Sequence, residues 1–140
     1  MVMINPYLNF PGNAEEAFNF YKSVFGGEFA MVQRFKDTTA PGELSAEDGE
    51  KMMHIALPLG NNNVLMASDV LESKGDKFIE GNNIYLSINT DSKEEADKLF
   101  NGLSAGGQVE LPMADMFWGD YFGMLFDKFG IKWMISFHKK

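Results

Sequence analysis

The chain contains no cysteine. Disulfide scaffolds, thiolate metal centres and cysteine nucleophiles are thereby excluded, and a reducing, cytoplasmic setting is the expectation. Basic residues are scarce: 12 Lys and Arg stand against 20 Asp and Glu, a net charge of −8. Nucleic-acid binding needs clustered Lys and Arg against phosphates, so this balance argues against it. Long hydrophobic runs are missing too. No stretch approaches the roughly 20 apolar residues that span a bilayer, and no secretory leader pattern is read, so no membrane association is expected. What is present is a 140-residue chain, 45 % hydrophobic and 14 % aromatic. That length and composition suit a single domain over 1–140 with its own core, and disorder is not expected.

Two helix signals stand out. In the first, Ala14, Ala17, Phe18, Tyr21 and Phe25 form an amphipathic stripe. Asn13 is placed to cap it with Glu16 as its partner, and Gly26-Gly27 stops it. In the second, Ser92 and Glu95 form a capping box, Ala96, Leu99, Phe100 and Leu103 make the stripe, and Gly106-Gly107 stops it. The two segments read as copies. Glu15-Glu16-Ala17 recurs as Glu94-Glu95-Ala96, and Asn5-Pro6-Tyr7-Leu8 as Asn83-Ile84-Tyr85-Leu86. One extra residue in the second strand-helix loop reconciles the two spacings. Such a repeat decides the fold class, since each copy must be one supersecondary unit.

Strands are predicted at 3–10, 28–36, 52–60, 63–69, 83–89, 108–116, 119–127 and 131–138. Asn61-Asn62-Asn63 after Gly60 marks one hairpin, and Asp127-Lys128-Phe129-Gly130 marks its counterpart. Each half is then strand, helix and three strands: modules over about 1–69 and 83–140, joined by a polar loop at 70–82. The acidic stretch 37–51 reads as a mobile solvated loop, with a lid over a site as the sharper alternative.

The strands split into two kinds of face. Ile4, Leu8 and Phe10 oppose Asn5, Tyr7 and Asn9; Ile84, Leu86 and Ile88 oppose Asn83, Tyr85, Ser87 and Asn89. Met53, Ile55, Leu57 and Leu59 oppose Met52, His54, Ala56 and Pro58, while Leu65 and Ala67 oppose Met66 and Ser68. In the last strand Ile131, Trp133, Ile135 and Phe137 oppose Met134, Ser136 and His138. The aliphatic face belongs under the helices. The mixed Asn, Tyr, Ser, Met and His face suits a cavity with apolar walls and a few polar tips, or else a subunit interface or solvent.

Several segments carry a resemblance to a known family. They are Pro6-Tyr7-Leu8 with Phe10, Gly12-Asn13-Ala14-Glu15-Glu16-Ala17, Phe20-Tyr21 and Phe25-Gly26-Gly27. Further along come Met53-His54, Leu65-Met66-Ala67-Ser68-Asp69, Trp118-Gly119-Asp120, and Asp127-Lys128-Phe129-Gly130 with Trp133. In this order they resemble the PhnB-like group of the vicinal oxygen chelate superfamily, which holds glyoxalase I, bleomycin-resistance proteins and extradiol dioxygenases. Lys128 stands where the group usually has proline. The resemblance implies an α+β fold: two tandem βαβββ modules forming a half-open, U-shaped mixed sheet with helices outside, commonly as a homodimer. It also implies small-molecule binding in the U.

Metal enzymes of that superfamily take ligands from the first and last strand of each module. Carried over, those positions are Asn5 (or Pro6), Met66, Asn83 and Met134. They lack the carboxylate and imidazole donors a divalent first-row ion wants, so no metal and no cofactor is expected. The expected ligand contacts are Tyr7, His54, Met66, Tyr85, Trp118, Phe122 and Met134. His54 is the one weak catalytic candidate. Asp69 reads as a turn cap, and His138 as part of a solvated tail with Lys139 and Lys140. No glycine-rich strand-to-helix turn supports the methyltransferase label that some PhnB-like sequences carry. The expectation is a small-molecule-binding protein. The alternatives are a glyoxalase-type lyase, isomerase or dioxygenase with a displaced metal at His54 and a carboxylate such as Asp69, and a non-catalytic dimeric scaffold.

Overall fold

A computed structural model describes residues 2–38 and 42–138. The chain divides into two compact units, Met1–Ile79 and Glu80–Lys140. In the first unit the order is β1 (Tyr7–Phe10), α1 (Ala14–Phe25), β2 (Met31–Arg34), α2 (Ala46–Glu50), β3 (Met52–Gly60) and β4 (Asn63–Asp69). In the second it is β5 (Leu86–Asn89), α3 (Lys93–Ser104), β6 (Gln108–Asp115), β7 (Asp120–Phe126) and β8 (Lys132–His138). Each unit holds one open four-stranded sheet, ordered β1-β4-β3-β2 and β5-β8-β7-β6. The first and last strands of each unit run parallel, and the other pairs are antiparallel. The architecture is therefore α+β, two tandem βαβββ modules.

Helix α1 lies on β3 and β4, and α3 on β6, β7 and β8. The expected stripes are the buried ones: Ala14, Ala17, Phe18 and Tyr21 in α1; Ala96, Phe100 and Leu103 in α3. Beneath them lie Phe10, Ile55, Leu57, Leu65 and Ala67 in the first unit, and Leu125, Trp133 and Ile135 in the second. The β3–β4 hairpin turns on Asn61 and Asn62 with φ of 51° and 64°. Both are left-handed, as a two-residue turn matched to strand twist requires. In the second hairpin the Gly130 amide donates to the Asp127 carbonyl at 3.0 Å.

The structure corrects the sequence reading in five places. Strands β1 and β5 begin later than expected, so Ile4 and Ile84 precede them and are 90 % and 70 % exposed. Met52, expected on the mixed face, is fully buried. The register shifts between Gln33 and Arg34, whose partners are His54 and Met52, and a bulge of this kind turns a side chain to the other face. The repeat is also displaced. Asn9 pairs with Ser68 and Asn89 with Ser136, each serine hydroxyl donating to the asparagine Oδ1. Asn9 thus matches Asn89, and Tyr7 matches Ser87 rather than Tyr85. The strand-helix loop is consequently one residue shorter in the second module, not longer.

Fourth, Asn13 does not cap α1. The carboxylate of Asp69, delivered from the end of β4, accepts from the Gly12 and Ala14 amides at 3.2 and 2.9 Å. A charged acceptor at a helix N-terminus gains from both the amide bonds and the dipole, which a neutral Asn cannot match. Ser92 does cap α3, accepting from the Glu95 amide at 3.1 Å, while the Glu95 carboxylate reaches the Asp91 amide instead of closing a box on Ser92.

Fifth, the acidic stretch carries structure and ion pairs. Residues 39–41 lie outside the described residues. On either side are a 3-10 turn at Phe35–Asp37 and the helix α2, whose cap Ser45 accepts from the Asp48 amide at 3.0 Å. Arg34 bridges the Glu15 carboxylate at 2.7 Å and the Glu50 carbonyl at 2.8 Å, and its guanidinium holds Glu15 below the ordinary carboxylate range. Buried Asp48 takes bonds from Ser73 and Lys51, and these hold its carboxyl low as well.

On the helix side of β7, Tyr121 donates to Asp97 of α3 at 2.5 Å, with Lys93 over its ring. The bond to Asp97 and burial push the phenol up to about 12. A pKa raised in the fold contributes stability that is full below the unfolded value near 10 and fades as pH rises through 12. In an alkaline absorbance titration Tyr121 is expected to ionise near pH 12. The Tyr121→Phe protein should lose one phenol's worth of absorbance change in that range; an unchanged amplitude there would refute the assignment.

Candidate functional site

The strand register builds one open face in the first unit. Tyr7 stands beside Met66, Met66 beside Ala56, and Ala56 beside Met31. One step along, Asn9 is beside Ser68, and Gln33 beside His54. Side chains alternate across a sheet, so these project away from Ile55, Leu57, Leu65 and Ala67, which α1 covers. The Tyr7 hydroxyl and His54 Nδ1 are 3.2 Å apart, and their rings are 5.6 Å apart at 34°. That bond runs from β1 to β3 over the intervening strand β4. Tyr7 is 47 % exposed.

The second unit has a corresponding face. Ser87 stands beside Met134 and Met134 beside Met124; Asn89 is beside Ser136, Ser136 beside Phe122, and Phe122 beside Ala114. Trp118 packs edge-on against Phe122 with centroids 5.8 Å apart, and against the exposed ring of Phe117 at 5.0 Å. Its indole N–H donates to Asp120 Oδ2 at 3.0 Å, while Asp120 Oδ1 meets His138 Nδ1 at 2.5 Å. The His138 ring first, and Trp118 after it, hold the Asp120 carboxyl below its ordinary value. His138 is solvent-exposed, as expected, and is also the end of a Trp–Asp–His chain; Lys139 and Lys140 lie outside the described residues.

At the other end of this face Lys132 is almost covered, its side chain 10 % exposed. Its ammonium sits 4.1 Å from the Tyr85 ring centre and 4.8 Å from that of Phe126. It donates to the Asn82 carbonyl at 3.1 Å, and Glu110, which accepts from the Tyr85 hydroxyl at 2.8 Å, lies 4.0 Å away. Cation–π attraction and a nearby carboxylate together offset the desolvation of this charge.

Of the seven expected contact residues, Tyr7, His54 and Met66 share the open face of the first sheet. Tyr85, Trp118, Phe122 and Met134 lie along that of the second. Asn5 and Asn83 precede their strands; Asn5 is bound to the chain through its Oδ1, which accepts from the Val64 amide at 3.1 Å. By register, the residues flanking Met66 and Met134 on the first strands are Tyr7 and Ser87. Neither set offers the carboxylates and imidazoles of a first-row metal centre, so the metal of the superfamily's enzymes does not fit these residues. Among the described residues no three His, Asp or Glu side chains come together as a metal cluster. His54 and Asp69 lie on opposite faces of the sheet. Both Asp69 oxygens are taken by backbone amides, the third being Met52 at 2.8 Å, so the two cannot share an ion.

Sequence reasoning missed Lys132 and Glu110 as partners, and Asn9, Ser68 and Gln33 as one polar row with His54. A lysine inside a strand reads as solvent-facing, and only the fold sets Tyr85 and Phe126 around it. The Asn–Ser pairs had a signal, the recurrence of both residues in the two modules, but their registration needed the sheets. No helix among the described residues is long and apolar enough to cross a membrane, which says nothing of strand-built spans.

Comparison with known proteins adds the family. Residues 2–136 match the family described as 3-demethylubiquinone-9 3-methyltransferase. The protein PA1353 of Pseudomonas aeruginosa is 36 % identical, superposes with a TM-score of 0.86, and is covered over 100 % of both chains. The PhnB protein of Bacillus cereus is 28 % identical with a TM-score of 0.74, covering 97 % of this chain and 99 % of that one. A glyoxalase/bleomycin resistance protein/dioxygenase family enzyme of Burkholderia phytofirmans shares the fold, with a TM-score of 0.62 at 18 % identity over 95 % and 97 % of the chains. With Met53-His54, Trp118-Gly119-Asp120 and the paired modules all in place, the chain belongs to the 3-demethylubiquinone-9 3-methyltransferase family, the PhnB-like group, and shares its fold with a glyoxalase/bleomycin resistance/dioxygenase family enzyme.

Proposed function

We propose that this protein binds a small organic molecule on the sheet faces turned away from its helices, without a metal centre of the superfamily's kind. The observation that carries the reading is the half-open face of the first sheet. Tyr7, His54 and Met66 stand together there, uncovered by α1 and joined by the 3.2 Å hydrogen bond between phenol and imidazole. A face with aromatic and thioether bodies and a few fixed polar tips is what a ligand surface needs: contact area from the bodies, orientation from the tips. A plain core face would have no polar tips, and a plain solvent face would carry the charges that crowd the rest of this acidic chain.

The test is a thermal-shift screen of the full chain against planar aromatic compounds, followed by His54→Ala. Ligand binding to the folded state raises its midpoint, so a binder should shift it. His54→Ala removes a partly exposed side chain and is expected to change stability by no more than about 0.5 kcal/mol. Affinity for the binder should fall about tenfold, the loss of one well-placed contact. A large stability loss with unchanged affinity would overturn the assignment.

A further inference from the structure

We propose that Asn9, oriented by Ser68, and His54 form a hydrogen-bonding subsite for an acceptor oxygen of the ligand, a carboxylate or a carbonyl; this rests on the reading that the first sheet's open face binds a small molecule. Three strands contribute one residue each, and Gln33 of β2 extends the row beside His54. The Ser68 hydroxyl donates to Asn9 Oδ1 at 3.2 Å. That bond occupies the amide oxygen and leaves the two N–H groups of the same carboxamide as the outward-facing chemistry. In the neutral His54 ring, an Nδ1 that accepts from the Tyr7 hydroxyl puts the proton on Nε2, which is then a donor as well. Tyr7, one step away on the same face of β1, reaches over β4 to His54. The row contains no carboxylate, although acids outnumber bases in the chain. The Asn9 amide, and His54 Nε2 where Nδ1 accepts from Tyr7, present donors, and donors select an acceptor.

The repeat supplies the contrast. The same bond occurs in the second module, where Ser136 donates to Asn89 at 2.7 Å. There the next two positions across the sheet are Phe122 and Ala114, which offer no hydrogen bond. Pinning the first strand to the last needs only the Asn–Ser pair and is served in both modules. The addition of His54 and Gln33 in one module alone is what turns a strand clasp into a donor row.

The test uses two probes that share a ring and differ in the polar end: benzoate and benzylamine. Binding to the isotope-labelled full chain is followed through the His54 imidazole and Asn9 side-chain amide resonances. Benzoate is expected to shift both. Asn9→Asp keeps an acceptor for Ser68 but replaces donors with a negative charge; benzoate affinity should fall about tenfold and benzylamine affinity should rise. Asn9→Leu, a neutral variant, should weaken benzoate about fivefold and leave benzylamine unchanged, while Asn89→Leu leaves benzoate unchanged. If both probes reach Tyr7 and His54 and Asn9→Leu changes neither, or if benzylamine alone binds there, the subsite is refuted and the ligand face stands. If neither probe perturbs any residue of this face, both readings fall.

Discussion

Trp133→Ala is expected to destabilise the second unit by about 4 kcal/mol. Trp133 heads the largest fully buried side chains and is 1 % exposed. It sits on β8 between Leu86 and Leu125 of the neighbouring strands, so its removal opens a cavity in the middle of the sheet's helix-covered face. Its indole N–H also donates to Asp127 Oδ2 at 2.8 Å. Asp127 Oδ1 meanwhile accepts from the Phe129 and Ile131 amides at 2.8 and 3.0 Å, which shapes the β7–β8 turn. The indole therefore fastens the core to the turn. Trp133→Phe separates the two contributions: it keeps most of the volume and loses the bond to Asp127, for a cost of about 1–2 kcal/mol. Urea unfolding of the three proteins measures both. A cost below about 1 kcal/mol for Trp133→Ala would contradict this account of the core.

Asp69→Ala is expected to cost the first unit about 3–5 kcal/mol. Its carboxylate, 4 % exposed, is the meeting point of β4, the N-terminus of α1 and the start of β3. Alanine leaves the amides of Gly12, Ala14 and Met52 without this acceptor, and a buried unsatisfied donor costs about 1–3 kcal/mol. The loss should localise. Amide exchange should accelerate in the first turn of α1 and at Met52 before the rest of the unit opens. Asp69→Asn retains an acceptor oxygen without the charge and should fall between alanine and the parent. Uniform exchange at the α1 N-terminus, parent and variant alike, would show that Asp69 is not the cap.

The same two residues show how far the chain could be read in advance. The helices were legible because a stripe such as Ala17, Tyr21 in α1 or Ala96, Phe100 in α3 is a local pattern with a period of its own. The hairpin at Asn61-Asn62 was legible because few residues tolerate left-handed backbone. Asp69 could be seen as a cap but not whose cap it was, since its partners are 17 to 57 residues away along the chain. Asn13 had the right composition and place to cap α1 and was displaced by a stronger acceptor arriving from another strand. Met52 followed the alternation in sequence and broke it in space, because a bulge against β2 is a relation between two strands.

Composition and periodicity by themselves determined that this is a chain of two similar modules, each a strand, a helix and three strands, with helices over aliphatic sheet faces. Those properties depend on side-chain chemistry and on spacings of three, four or two residues, which hold before any long-range contact forms. Only the tertiary structure decided strand register. Register set Asn9 beside Ser68 and Gln33 beside His54, and made Ser87 rather than Tyr85 the match of Tyr7; in the second module the fold also placed Lys132 over Tyr85 and Phe126. Register comes from hydrogen bonds between distant segments whose alternatives differ by a residue or two, and that choice is made by packing the whole sheet at once.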